Sequence, residues 1–229
     1  MLRSFAAAKF LIVGLLFVYA GLENLPWGWL LVWFGASFLG VALAYSMGKP
    51  GAFGKDGSGR LPWWVWLPFG PHLFFTWLSW QGMRRFGGEA CCHQVAPGLW
   101  LGRRPYADEL PPDVGLVVDL TCEFPRAEGV GLNRTYVCFP VLDGTAIDAE
   151  RFSRVVDQAA GWKDRAVYIH CAIGHGRSAM VAAAVLIRKG LHADPDEAIR
   201  AIQRVRPRVG LSPGQRDGLA AFASRRPVC

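Results

Sequence analysis

The chain has 229 residues, of which 52% are hydrophobic, and its formal net charge is +7 at pH 7. The apolar residues are concentrated near the N-terminus: residues 1–80 hold five Lys or Arg and two acidic residues, against twenty and sixteen in residues 81–229. This distribution argues against a single soluble domain and indicates a membrane-type region followed by a soluble one. The modest positive charge of the second region, which has no basic run, argues against nucleic-acid binding.

The N-terminal region, residues 1–80, begins with two apolar segments. Residues 6–22 and 27–47 are both near the roughly 20 residues that a helix needs to cross a bilayer, and residues 23–26 are expected to form a tight turn between them. The second segment follows the first after four residues, and no clear cleavage site is present. The sequence therefore favours a retained membrane anchor over a secretory signal peptide.

A third apolar segment, residues 61–80, contains three prolines and several tryptophans. Interior prolines remove helical hydrogen bonds, and tryptophan prefers the headgroup region, so we expect an interfacial or re-entrant pair of helices rather than a third crossing. Basic residues lie at both outer ends of the first two segments, which predicts a hairpin with both ends in the cytoplasm. The expected protein is therefore a multi-pass protein of the cell membrane, with the lipid bilayer as a partner and its soluble region facing the cytoplasm.

Residues 81–93 are expected to be a linker, and residues 94–229 a folded domain in which apolar runs alternate with amphipathic ones. Strands are predicted at residues 99–101, 116–120, 135–141 and 166–169, and helices at residues 148–160, 177–189, 195–205 and 213–223. Two of these helices have clear starts, because Asp194 and Ser212 are capping residues that precede a proline at the first helical position. Strands that feed helices in this order predict an α/β domain.

The segment YIHCAIGHGRSAM, residues 168–180, places a cysteine and a glycine-rich loop between a predicted strand and a predicted helix. The backbone N–H groups of such a loop, together with the helix N-terminus, form a nest for an oxyanion. Gly174 and Gly176 allow the backbone to close around a ligand, and Arg177 can hold two phosphate oxygens at once. The positive potential favours the thiolate form of Cys171, which is the nucleophilic form of cysteine.

This segment resembles the HC-x5-RS signature of the cysteine-dependent protein tyrosine phosphatases, and the short domain resembles their dual-specificity branch. The resemblance extends over about residues 94–224 through the stretches GLWLGRRP, VVDLTCEFP, FPVLDG and RPRVGLSPGQRDGLAAF. It implies a dual-specificity-phosphatase-like α/β sandwich, with a central sheet flanked by helices, preceded here by a helical transmembrane region. The residues that match the phosphate-binding loop are Ala172, Ile173, Gly174, His175, Gly176 and Arg177.

The resemblance implies a phosphoric monoester hydrolase that works through a phosphocysteine intermediate. No cofactor is expected, and no metal, because the consecutive side chains of Cys91, Cys92 and His93 cannot readily converge on one ion. Cys171 would be the nucleophile, and Arg177 would bind phosphate and stabilise the charge of the transition state. Ser178 would donate to the cysteine sulfur when it leaves, and His170 would help to position and activate the thiol. His175 would either contact the substrate or fill an exposed loop position.

In this family an aspartate upstream of the cysteine protonates the leaving oxygen. Asp143, in the stretch FPVLDG, matches that residue, and Asp148 and Asp119 are the alternatives. Cys122 ends the strand before the acid loop and is either a reversible redox partner of Cys171 or a buried core thiol. The six cysteines are not expected to form a disulfide framework, because a thiolate nucleophile belongs in a reducing compartment.

The predicted function is a membrane-anchored phosphatase of phosphotyrosine, phosphoserine or phosphothreonine in proteins. The alternative substrate is a lipid phosphomonoester such as phosphatidylglycerophosphate, although the absence of lysine from the loop argues against polyphosphoinositides. A rhodanese-like sulfurtransferase also uses a loop cysteine, but its loop is usually one residue shorter and lacks the Arg-Ser pair. An inactive phosphate-binding membrane scaffold would be expected to have lost Cys171, Arg177 or Asp143, and all three are present.

Overall fold

A computed structural model of the chain describes residues 5–225. The first four residues of the predicted anchor and the last four of the predicted catalytic domain lie outside the described residues. The chain divides into two compact units, one of residues 1–87 with residues 122–125 and one of residues 88–121 with residues 126–229. The first unit is mostly helical, and the second holds the predicted α/β domain.

In the first unit, two antiparallel helices pack closely through glycines. They are α1 (Phe5–Glu23) and α2 (Trp29–Met47), and both are long and apolar enough to cross a membrane. A Cβ atom at Gly14 would lie 3.0 Å from the carbonyl oxygen of Gly35, and one at Gly35 would lie 2.7 Å from that of Gly14. Small residues that let two backbones approach this closely are typical of helix pairs in membranes.

The third apolar segment forms one helix, α3 (Trp66–Phe86), so the prediction of a pair of helices over residues 61–80 is wrong. Pro71 lies inside this helix and has no N–H group to donate to the carbonyl oxygen of Leu67. The indole Nε1 of Trp33, on α2, donates to that oxygen at 2.7 Å and replaces the missing hydrogen bond. The helix also takes up the first part of the predicted linker, and only residues 87–91 remain irregular before the first strand.

The second unit is built on a five-stranded sheet with the order β1-β2-β5-β3-β4. Its strands are β1 (Cys92–Ala96), β2 (Leu99–Arg103), β3 (Val114–Thr121), β4 (Thr135–Val141) and β5 (Ala166–Cys171). The last four are parallel, and only β1 pairs in the antiparallel direction, at one edge. All four strands predicted from the sequence are present. The short run Cys92–Ala96 was not predicted because it has too few apolar residues to stand out.

Four helices accompany the sheet: α4 (Ala149–Ala160), α5 (Arg177–Arg188), α6 (Pro195–Val205) and α7 (Pro213–Ser224). Asp194 and Ser212 cap α6 and α7 as predicted, since each side chain accepts a hydrogen bond from a backbone N–H of the first turn. Helix α5 is buried from Arg177 to Ile187 and packs against β5 and the other three helices. The predicted α/β architecture is confirmed.

The two faces of the sheet bury different sets of side chains, because alternate residues of a strand point in opposite directions. Val118 and Ile169 belong to the main core with the four helices, whereas Val117 and Tyr168 belong to a smaller core with loop residues such as Val130. The carboxyl ends of the four parallel strands lie along one edge of the sheet. The loops that follow β4 and β5 are therefore neighbours in space, although they are distant in sequence.

Candidate active site

The predicted phosphate-binding loop connects β5 to α5 at the carboxyl edge of the sheet. Strand β5 ends at Cys171, which is buried, and α5 begins at Arg177. The thiol Sγ accepts a hydrogen bond from the backbone N–H of Gly174 at 3.2 Å, and it lies 3.3 Å from the hydroxyl of Ser178. Both groups can donate a hydrogen bond to this sulfur, as a nucleophilic or departing thiolate requires.

Gly174 has a backbone conformation that the loop cannot adopt with another residue. Its φ is +85°, in the left-handed region, and a Cβ atom there would lie 2.5 Å from the carbonyl carbon of Gly102. The neighbouring strand β2 thus lies so close to the loop that no side chain fits at position 174. A glycine at this position lets the loop turn back over Cys171 and direct an N–H group at its sulfur.

Arg177 is held beside the predicted phosphate-binding loop by the end of β4, two residues before Asp143. Its Nη1 donates to the carbonyl oxygen of Val141 at 2.9 Å, and its Nε lies 3.1 Å from Oδ1 of Asp143. The Arg177 side chain is 2% exposed, whereas that of Asp143 is 68% exposed. The guanidinium is therefore fixed, and the carboxylate lies at the surface next to it.

The two alternative acids have structural partners of their own. Asp148 caps α4 and accepts hydrogen bonds from the N–H groups of Glu150 and Arg151, each at 3.1 Å. Asp119 is buried and accepts hydrogen bonds from Thr121 and from the hydroxyl of Tyr136, the latter at 2.6 Å. Asp143 is the aspartate that the structure places against Arg177.

His170, which precedes Cys171, is buried. Its Nδ1 lies 3.3 Å from the carbonyl oxygen of Cys171 and 3.8 Å from Oδ1 of Asp119. Burial, and then the charge of Asp119, raise the pKa of the Tyr136 hydroxyl well above its usual range, so this hydroxyl remains a donor to Asp119. His170 thus joins a buried polar chain that orients the end of β5.

Arg206, which the sequence analysis did not single out, binds the loop from outside. The side chain is 1% exposed; its Nε donates to the carbonyl oxygen of Gly174 at 3.0 Å and its Nη2 to that of Ile173 at 2.9 Å. The N–H of Gly210 donates to the carbonyl oxygen of His175 at 3.2 Å. In a trans peptide the C=O and the next N–H point in opposite directions. Three successive N–H groups are therefore turned inward.

A second functional candidate that the sequence showed only as a capping residue is Gln215. Its Oε1 accepts a hydrogen bond from the N–H of Ser212 at 3.0 Å, and its amide lies next to Gly176 of the loop. The Nε2 atom is buried and has no hydrogen-bond partner among residues 5–225. A buried donor left unpaired is costly, so this atom is suited to hold a water molecule or a ligand oxygen beside the loop.

The predicted residue Cys122 is buried, and its Sγ lies 3.4 Å from Oε2 of Glu123. The five cysteines within the described range form no disulfide. The redox role of Cys122 stays a prediction. Within residues 5–225 no group of three or more His, Cys, Asp or Glu side chains is arranged to hold a metal ion.

The geometry of Gly174 leads to a direct test of the loop. We expect Gly174→Ala to weaken the binding of inorganic phosphate by about tenfold or more, because the added methyl group displaces the loop from β2 and misdirects its N–H groups. Isothermal titration of the full-length protein measures this affinity. Gly190→Ala is the matched control, since Gly190 has a similar φ of +72° but no atom within 4 Å of its Cβ position. Equal affinities of the two variants would contradict the role given to the loop.

Comparison with known proteins agrees with this geometry. No protein-family model matches the chain. The phosphatidylglycerophosphatase and protein-tyrosine phosphatase 1 of Homo sapiens is 46% identical over 57 residues, which are 24% of this chain and 27% of that protein. The chain therefore matches about a quarter of the length of this curated relative.

Solved structures show the same fold over most of their length. PTPMT1 in complex with PI(5)P has a TM-score of 0.51 and 24% identity, covering 58% of this chain and 95% of that one. The active form of Tk-PTP has a TM-score of 0.54 and 23% identity, covering 59% and 98% of the two chains. The second unit of this chain thus has the fold of these protein tyrosine phosphatase structures.

Proposed function

We propose that the chain is a membrane-anchored phosphoric monoester hydrolase that works through a phosphocysteine intermediate. The observation that carries the proposal is the position of the Cys171 sulfur. It lies at the base of a loop whose N–H groups turn inward, with the buried guanidinium of Arg177 and the surface carboxylate of Asp143 beside it. This is the set of groups that phosphoryl transfer to a thiolate requires.

In the first step the thiolate of Cys171 attacks phosphorus, an S–P bond forms, and the bond between phosphorus and the leaving oxygen breaks. The loop N–H groups and Arg177 bind the equatorial oxygens and stabilise their charge in the transition state. Asp143, in its protonated form, gives its proton to the leaving oxygen. The Asp143 side chain is 68% exposed, so this carboxylate is accessible to a bound substrate.

In the second step water attacks the phosphocysteine, and the S–P bond breaks. The Asp143 carboxylate left by the first step takes the proton of the water. The hydroxyl of Ser178, 3.3 Å from Sγ, donates to the departing thiolate. The buried Nε2 of Gln215 is placed to orient the water, because it lies beside the loop with no other partner among the described residues.

Replacement of the nucleophile tests the reaction class. Cys171→Ser should abolish hydrolysis of para-nitrophenyl phosphate by the full-length protein while it retains affinity for vanadate, because the hydroxyl lacks the thiolate's nucleophilicity but the loop is intact. Steady-state assays and vanadate titration measure the two properties.

Transfer of sulfur from thiosulfate to cyanide by the wild-type protein, without phosphatase activity, would identify a rhodanese-like sulfurtransferase instead. Phosphate binding without either activity would identify an inactive scaffold. Unchanged hydrolysis by Cys171→Ser would exclude Cys171 as the nucleophile.

The assignment of the general acid rests on a comparison of aspartates. Asp143→Asn should lower kcat for a substrate with a poor leaving group by roughly 10²-fold or more, because the amide cannot supply the proton. Asp148→Asn is a matched control, since asparagine also caps a helix and Asp148 is an exposed residue whose side chain caps α4. Stopped assays with an alkyl phosphate measure kcat. A loss in Asp148→Asn and none in Asp143→Asn would reassign the acid.

We infer that the substrate is confined to the bilayer, as the two apolar helices of the first unit suggest. A lipid phosphomonoester is supported by the relative whose name includes phosphatidylglycerophosphatase. The same name includes protein-tyrosine phosphatase, so phosphorylated membrane proteins are the second candidate. We propose that the second unit faces the cytoplasm, where Cys171 remains reduced.

A competition in vesicles separates the two substrate classes. The full-length protein is given phosphatidylglycerophosphate and a membrane-anchored phosphotyrosyl peptide in the same vesicles. We expect kcat/KM for the lipid to be about tenfold or more above that for the peptide, since tethering raises the effective concentration of both and leaves headgroup recognition to decide. A soluble short-chain form of the lipid is the control for recognition without tethering. A preference for the peptide would make the chain a protein phosphatase.

A further inference from the structure

The segment that precedes β1 supplies a carboxylate to the back of the phosphate-binding loop. One oxygen of Glu89, Oε2, lies 2.6 Å from Nε2 of His175 and 2.9 Å from Nη2 of Arg206. The Glu89 and His175 side chains are 15% and 21% exposed, and that of Arg206 is almost fully buried. A single oxygen thus bridges a loop residue and the arginine that holds the loop.

Arg206 also contacts Ala90 and His93, which follow Glu89 in the chain. Its Nη1 donates to the carbonyl oxygen of Ala90 at 3.1 Å and lies 3.1 Å from Nδ1 of His93. Partial burial, and then the charge of Arg206, lower the pKa of His93, which keeps its ring neutral and able to accept this hydrogen bond. Arg206 therefore joins two segments: residues 89–93 on one side and the carbonyl groups of Ile173 and Gly174 on the other.

A guanidinium buried to this extent needs a counter-charge, because removal of one partner of a buried ion pair leaves an uncompensated charge. Asp143, which pairs with Arg177, lies on the substrate side of the loop and is not among the contacts of Arg206. Glu89 provides the charge from a part of the chain that belongs to no helix or strand. The Glu89 side chain is held in place by its contacts with His175 and Arg206.

We propose that Glu89 is a positioning residue for the phosphate-binding loop. It fixes the guanidinium of Arg206 in the orientation that turns the Ile173 and Gly174 carbonyls outward, and it fixes the ring of His175. The inference rests on the proposed function, since it assigns Glu89 to the same site. Glu89 follows the end of α3, at Phe86, by three residues. The irregular segment before β1 thus contributes directly to the geometry of phosphate binding.

The test compares two glutamates in the full-length protein in detergent. Glu89→Gln keeps the size of the side chain and removes its charge. Glu109→Gln is the matched control, because Glu109 is similarly buried and pairs with Arg103 at 2.8 Å, as Glu89 pairs with Arg206 at 2.9 Å. Thermal unfolding, vanadate affinity, and kcat and KM for para-nitrophenyl phosphate are measured for both.

We expect both variants to lose thermal stability, and only Glu89→Gln to bind vanadate and substrate about tenfold or more weakly, because small displacements of a site have large effects on affinity and rate. His175→Gln and the double variant complete a double-mutant cycle. The double variant should be less impaired than the product of the two single effects, since the side chains act as a unit.

Three results would overturn the proposal: equal vanadate affinities in Glu89→Gln and Glu109→Gln, strictly multiplicative effects in the cycle, or no vanadate binding by the wild-type protein. The proposed function fails in a different way. If the wild-type protein binds vanadate but hydrolyses no phosphomonoester, and Glu89→Gln still weakens binding, the positioning role stands and the hydrolase assignment does not.

Discussion

The candidate site depends on the hydrogen bonds that hold the carbonyl groups of one loop away from its centre. Arg206 binds the carbonyl oxygens of Ile173 and Gly174, and the N–H of Gly210 binds that of His175. Because the peptide group is planar and trans, each outward carbonyl directs the next N–H inward. The loop N–H groups are therefore oriented before any ligand is present, and the proposed reaction needs little reorganisation when charge develops on a bound phosphoryl group.

The sheet supplies the rest of the arrangement. Parallel strands place their carboxyl ends at one edge, so Cys171 at the end of β5 and the loop after β4 that carries Asp143 meet, although 28 residues separate the two. The buried helix α5 carries Arg177 and Ser178 in its first turn and fixes them against the loop. An exposed carboxylate, Asp143, then lies next to a buried guanidinium, which suits the proposed role of donating a proton and later accepting one.

Much of this was predictable from the sequence because the signals are local. The strand before Cys171, the helix after Arg177 and the caps of α6 and α7 follow from apolar runs and short motifs. The pair of helices expected over residues 61–80 is absent because Trp33, which is distant in sequence, donates to the carbonyl oxygen that Pro71 leaves without a partner. No local pattern contains that contact.

The residues that support the loop were not predictable for the same reason. Arg206 is one of five arginines between residues 200 and 216, and only the fold shows that it is buried. The sequence around Glu89 predicts a linker, and the sequence pattern indicates Gln215 only as part of a capping box. Each acquires its role from a partner more than thirty residues away.

The central claim is that a phosphoryl group passes through the sulfur of Cys171. The most direct measurement is a rapid acid quench of the full-length protein during turnover of a radiolabelled phosphomonoester, followed by peptide mapping. The account predicts label bound covalently to the peptide that contains Cys171, appearing before inorganic phosphate is released. Label that appears only as inorganic phosphate, or on a peptide without Cys171, would contradict it.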